Sequence, residues 1–168
     1  MKIISDNEDD LMKVSLSKKH IIFEIGMFTV ISRLLEGDFL DYERAIPKTS
    51  TTEVRINRRI YQECFERVDI VTEERLINPV KLLIADDKIS IECATAVGRI
   101  KESLPAKIEG PALEIGFNNR YILDALKAAP SEEINVCLNT GSSPCIITPA
   151  DESDKFLYMV LPVRLKAE

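Results

Sequence analysis

Several familiar functional signatures are missing from this chain of 168 residues. It has no excess of positive charge: Lys and Arg total 22 against 28 Asp and Glu, a formal net charge of −6. That excludes a basic coat for nucleic acid over the whole surface, although not a local basic face. No apolar run approaches the roughly 20 residues a membrane helix needs. The longest candidates are broken by Glu24 and Arg33 and by Lys81 and Asp86. The opening MKIISDNEDD lacks the apolar core of a signal peptide and turns acidic at once. There is one histidine, His20, and no CxxC among Cys64, Cys93, Cys137 and Cys145. A zinc site needs paired thiols or several histidines, so no metal is expected. The scattered thiols, each in or beside an apolar segment, read as small buried hydrophobes of a reducing, cytoplasmic compartment.

Catalytic signatures are equally scarce. Neither GxxxxGK[ST] nor GxGxxG occurs, so no nucleotide cofactor is expected. His20 opens a strand-like segment, and the acids at Asp86-Asp87, Glu132-Glu133 and Asp151-Glu152-Ser153-Asp154 fall in loop-like stretches. Catalytic carboxylates would instead converge on one pocket. The chain reads as a protein without its own catalytic site.

What is present is alternation. Residues 12–17, 20–25 and 27–35 carry a period of two and predict three short strands in a meander. Residues 36–42 read as a loop and 47–52 as a connector between domains. Residues 52–56 predict another strand, after which the period changes. From the N-cap Asn57, the residues Ile60, Tyr61, Cys64, Phe65, Val68 and Val71 form one helical stripe. Strands are predicted at 80–85, 89–95, 98–104 and 112–116, with Asp86-Asp87 as an acidic turn. A second helix starts near Asn118, with Ile122, Ala125, Leu126 and Ala129 on one face and Pro130 beyond its end. Strands at 134–139, 145–148 and 156–163 complete the pattern. Two amphipathic helices cannot cover both faces of so much sheet, so they are expected side by side on one face of an α+β domain. The first 48 residues hold three strands and no helix, and they can bury little without another layer. The chain therefore reads as beginning inside a domain.

Several segments resemble the bacterial sliding clamp, the beta subunit of DNA polymerase III. They are Leu35-Glu36-Gly37-Asp38-Phe39-Leu40-Asp41-Tyr42 running into Ile46-Pro47-Lys48, then Glu114-Ile115-Gly116-Phe117-Asn118 with Tyr121, and the closing Tyr158-Met159-Val160-Leu161-Pro162-Val163-Arg164-Leu165. Each is weak alone; their order and spacing carry the resemblance. That family has three similar domains per chain, and two chains close into a homodimeric ring around duplex DNA. The resemblance covers only the C-terminal part. It assigns residues 1–50 to the back half of the central domain and 51–168 to the complete third domain. The missing domains imply a truncated chain, expected to be monomeric.

The resemblance implies a processivity factor of chromosomal replication whose pocket takes short peptides from the polymerase III alpha subunit, the clamp-loader delta subunit and other proteins with clamp-binding motifs. The pocket positions implied are Leu40, Arg44, Ala45, Leu76, Asn118, Tyr121, Ser142, Pro144, Met159, Val160, Leu161, Pro162, Val163, Arg164 and Leu165. A peptide that orders on binding needs apolar anchors and a few polar groups for register, which this set offers. From pattern alone 159–163 reads as a plain core strand, half of whose side chains face the core; the resemblance assigns the exposed half to the pocket. The same resemblance implies DNA-facing roles for Arg58, Arg59, Arg120 and Lys127, read as the solvent sides of the two helices. Those faces also carry Glu63, Glu66 and Asp124, and a plain solvated face has the same pattern. Ile70 and Val71 are implied at the ring interface, with core burial as the alternative for Ile70. A non-replicative α+β peptide-binding or scaffold module is the rival reading.

Overall fold

The computed structural model describes residues 11–72, 79–151 and 154–165. The chain divides into two compact units, Met1–Asp41 and Tyr42–Glu168. The division falls at the end of the stretch 36–42 read as a loop, and Tyr42–Ala45 forms a helical turn, α1, that opens the second unit.

In the first unit, β1 (Met12–Leu16), β2 (His20–Ile25) and β3 (Phe28–Arg33) form an antiparallel meander. Its joints follow from local chemistry: the Ser17 hydroxyl accepts from the His20 amide at 3.0 Å, and Gly26 supplies the positive φ of the second turn. The register sets Met12 opposite Ile25, Val14 opposite Phe23 and Leu16 opposite Ile21. Phe28 faces Ile25 and Val30 faces Phe23. Opposed residues share a face, so all eight lie on one side of the sheet. None is buried.

The second unit holds two sheets joined by two helices. One sheet has the order β12-β11-β10-β4-β8, from β4 (Thr52–Asn57), β8 (Lys107–Glu109), β10 (Glu133–Leu138), β11 (Cys145–Pro149) and β12 (Tyr158–Val160). The other has the order β7-β6-β5-β9, from β5 (Pro79–Ala85), β6 (Lys88–Ala94), β7 (Arg99–Pro105) and β9 (Leu113–Asn118). Each helix begins where a strand ends in asparagine. The Asn57 side chain accepts from the Ile60 amide to start α2 (Arg58–Asp69), and Asn118 accepts from the Arg120 amide to start α3 (Asn119–Ala128). The free amides of a first turn need such an acceptor. At the far end of α3, Ala129 is already extended and Pro130 cannot continue the helix.

The helices run antiparallel. The start of α2 reaches the end of α3 through Arg58 and the Leu126 carbonyl, 3.4 Å apart. The end of α2 meets the start of α3 through Asp69 and Asn119, 2.9 Å apart. Between them and the sheets, one core gathers Tyr61, Phe65 and Val68 of α2 and Ile122 and Leu126 of α3. Val54, Leu82, Ile91, Phe117 and Ile134 complete it from both sheets. Tyr61 and Phe65 meet edge to face at 5.0 Å. The predicted α+β arrangement with neighbouring helices is the observed one.

Three departures have physical causes. Ile60 is 53% exposed, because at about 100° per residue it lies on the flank of a stripe centred on Tyr61, Phe65 and Val68. The short strand β8 pairs with the edge of β4, a ladder that tertiary contact rather than alternation sets. The last strand is three residues long instead of eight, since β11 offers partners only to 158–160.

Candidate functional site

A groove of about 510 Å³ runs between α3 and the edge strand β12. The helix contributes Tyr121, Asp124, Ala125 and Ala128, the i, i+3, i+4, i+7 set of one face. Leu157, Tyr158, Met159, Val160 and Leu161 line the opposite side. The two alanines open the space that larger residues would close. Tyr158 ties the walls together, donating its hydroxyl to the Ala128 carbonyl at 3.0 Å, and stacks on Phe156 at 5.1 Å. Because β12 pairs only with β11, alternate backbone groups on its free side have no ladder partner.

A smaller cavity of about 160 Å³ lies under the connector residues 46–50, against Cys137, Asn139 and Ile146. Leu157 borders it as well as the main groove.

Of the residues implied by resemblance, Tyr121, Met159, Val160 and Leu161 come together in the groove. Others serve elsewhere. The Asn118 side chain caps α3. Ser142 lies 3.3 Å from the Thr140 hydroxyl in the turn before β11, followed by Pro144. Past Pro162, the Val163 amide donates to the Gly116 carbonyl at 2.8 Å, drawing the closing segment over β9. Arg164 and Leu165 continue that path, with Leu165 packed over Gly116. Arg44 and Ala45 lie exposed in α1. Leu40 is exposed in the other unit, and Leu76 lies outside the described residues.

The groove also contains Asp124, Ala125, Ala128, Leu157 and Tyr158, which the sequence reading did not place there. A second stripe at helical spacing from Tyr121 was the available signal. Ala125 hid it by serving the core too, at 7% exposure.

The four cations do not form one field. Arg58, read from the helical wheel as lying on the solvent side, is only partly exposed. Its guanidinium donates to the Ser131 carbonyl at 2.9 Å and to Gln62 at 2.8 Å, bracing α2 against the end of α3. Arg59 and Arg120 are exposed and paired along their helices with Glu63 at 3.2 Å and Asp124 at 4.0 Å. Lys127 stands 3.9 Å from Glu66 on the neighbouring helix. At the end of α2, Ile70 is 76% exposed, which removes the core reading for it, whereas Val71 packs partly against the core.

The thiols are poor nucleophiles. Burial pushes Cys64 up to about 11 and raises Cys145 further, and it also raises Cys93 and Cys137.

Two sheets bound by an antiparallel helix pair, with an open groove at an edge strand, define the domain as α+β. Residues 43–164 match the family model of the DNA polymerase III beta subunit, C-terminal domain, and the chain belongs to that family. It is 32% identical to the beta sliding clamp of Staphylococcus aureus strain N315 over 97% of its own length and 43% of that relative's. Against the clamp of Staphylococcus epidermidis the identity is 30% over the same shares. The DNA polymerase III subunit beta of Pseudomonas aeruginosa superposes with a TM-score of 0.81 at 30% identity, covering 95% of this chain and 44% of that one. The beta subunit of Thermotoga maritima gives 0.74 at 29% identity, covering 92% and 42%. The chain thus spans less than half the length of the relatives it matches.

Proposed function

We propose that this chain acts as the C-terminal part of a DNA sliding clamp, an accessory factor of replication in the cytoplasm that tethers partner proteins to duplex DNA. The observation that carries the reading is the groove between α3 and β12. It lies within the family-matched segment and is lined by four of the residues implied as peptide contacts. Its lining is mainly apolar, which suits the aliphatic or aromatic anchors of a linear peptide. The polymerase III alpha subunit and the clamp-loader delta subunit are the proposed sources of such peptides. Residues 1–50 correspond in this reading to the back half of a central domain and 51–168 to the third domain. The exposed cations Arg59, Arg120 and Lys127 fit contact with phosphates at a distance, weakened by their carboxylate partners. Exposed Ile70 fits a ring contact.

A fluorescein-labelled peptide of the glutamine-plus-aliphatic type, titrated by fluorescence polarisation, tests the proposal. Binding should fall at least tenfold with Leu161→Asp, which puts a charge against the apolar anchor. It should persist with Lys107→Ala on β8. Equal affinity for wild type and Leu161→Asp would end the proposal.

A further inference from the structure

The groove has an electrostatic asymmetry that its apolar lining makes conspicuous. Among the described residues, Asp124 is the one charged residue lining it. It lies in the middle of α3, one turn after Tyr121 and one turn before Ala128, so it shares the helix face of Tyr121, which is 58% exposed. The Asp124 side chain is itself 67% exposed, and its partner Arg120 stands at 4.0 Å, the outer limit of an ion pair between two solvated groups. Such a contact is worth little and is readily exchanged. A planar guanidinium is the side chain that both surfaces suit, stacking on the tyrosine while donating to the carboxylate. Resting on the peptide-groove reading above, we infer that Asp124 selects linear peptides carrying an arginine next to their apolar anchor. The occupant is thus a mixed peptide: aliphatic residues against Leu157 and Leu161, and one cation at the helix wall.

Three labelled peptides identical except for Arg, Ala or Glu beside the aliphatic anchor, titrated on the full chain at low salt, test the inference. The Arg peptide should bind roughly fivefold more tightly than the Glu peptide, the scale expected of one solvent-exposed ion pair plus stacking. The readout is that ratio. Asp124→Asn should bring it close to one, and Asp124→Lys should invert it. Asp87→Asn, the same charge change in the distant β5–β6 turn, should leave it in place. A wild-type ratio near one would overturn the inference. So would a ratio that survives Asp124→Asn, or one that Asp87→Asn lowers equally. Failure of the groove itself has a different appearance: no peptide binds, or Leu161→Asp leaves all three affinities intact, and either result removes the groove reading and the inference together.

Discussion

Single side chains take their roles from the backbone they terminate. Asn57 and Asn118 both end a strand and cap the helix that follows; Asn57 was legible as a cap from its place before a helical stripe, whereas the capping role of Asn118 came from the structure. Asp86 and Asp87 adopt φ of 52° and 54°, a two-residue hairpin turn that aspartate tolerates and β-branched residues resist. Arg67 was not legible. It grips Glu102 of β7 through two nitrogens, with one contact at 2.6 Å, and binds the end of α2 to an edge strand. The Arg67 hydrogen bond holds Glu102 below the usual carboxylate range, against the opposing effect of burial. A carboxylate depressed in the folded state stabilises the fold above its unfolded value, about 4.3, and that stabilisation is lost as pH falls through the folded value. Urea titrations should therefore show Glu102→Gln less stable by about 1 kcal/mol at pH 7, the half-exposed arginine keeping the effect small. The deficit should shrink below about pH 4, where the wild type protonates too. A constant deficit down to pH 3 would assign the effect to packing.

At the scale of elements, the closing segment shows how a strand-like pattern becomes two structures. Residues 156–163 are an unbroken apolar run, yet only Tyr158–Val160 pairs with β11. Leu161 then borders the groove, and Val163 crosses to β9, where its amide meets the Gly116 carbonyl. The crossing needs a residue without a side chain at 116. A Cβ there would lie 2.8 Å from the Val163 carbonyl oxygen and 2.7 Å from Leu165 Cδ2. Gly116→Ala should cost about 2 kcal/mol in chemical denaturation, as overpacking against backbone generally does. An unchanged midpoint would mean that the tail does not hold this path in solution. Because β9 leads directly into α3, the same contact fixes the tail against the helix that forms the other groove wall.

At the scale of the molecule, the two compact units differ in how much they bury. β1, β2 and β3 contain no buried side chain, and Leu16, Phe28 and Ile31 are more than half exposed. The second unit encloses Phe65, Leu82, Ile91, Ile115 and Leu126 at 1% exposure or less. Local opening follows buried apolar contact, so amide hydrogen exchange should be at least about 100-fold faster in β1–β3 than in β5 and β6. Uniform protection would contradict that difference. The chain's alternation, helical stripes, caps and turns were sufficient for the α+β class and for most element positions, while the resemblance to the clamp family rested on the order and spacing of particular segments. They were sufficient because periods of 2 and 3.6 are properties of neighbouring residues. They were not sufficient for Arg58, which the helical wheel turns to solvent and the fold spends on carbonyls at the end of α3. Nor did they reveal that Ala125 and Ala128 hollow out a groove against Leu157. Sequence alone determined which elements form and which faces are apolar. Tertiary structure decided which of those faces meet, because contacts between residues tens of positions apart leave no period in the chain.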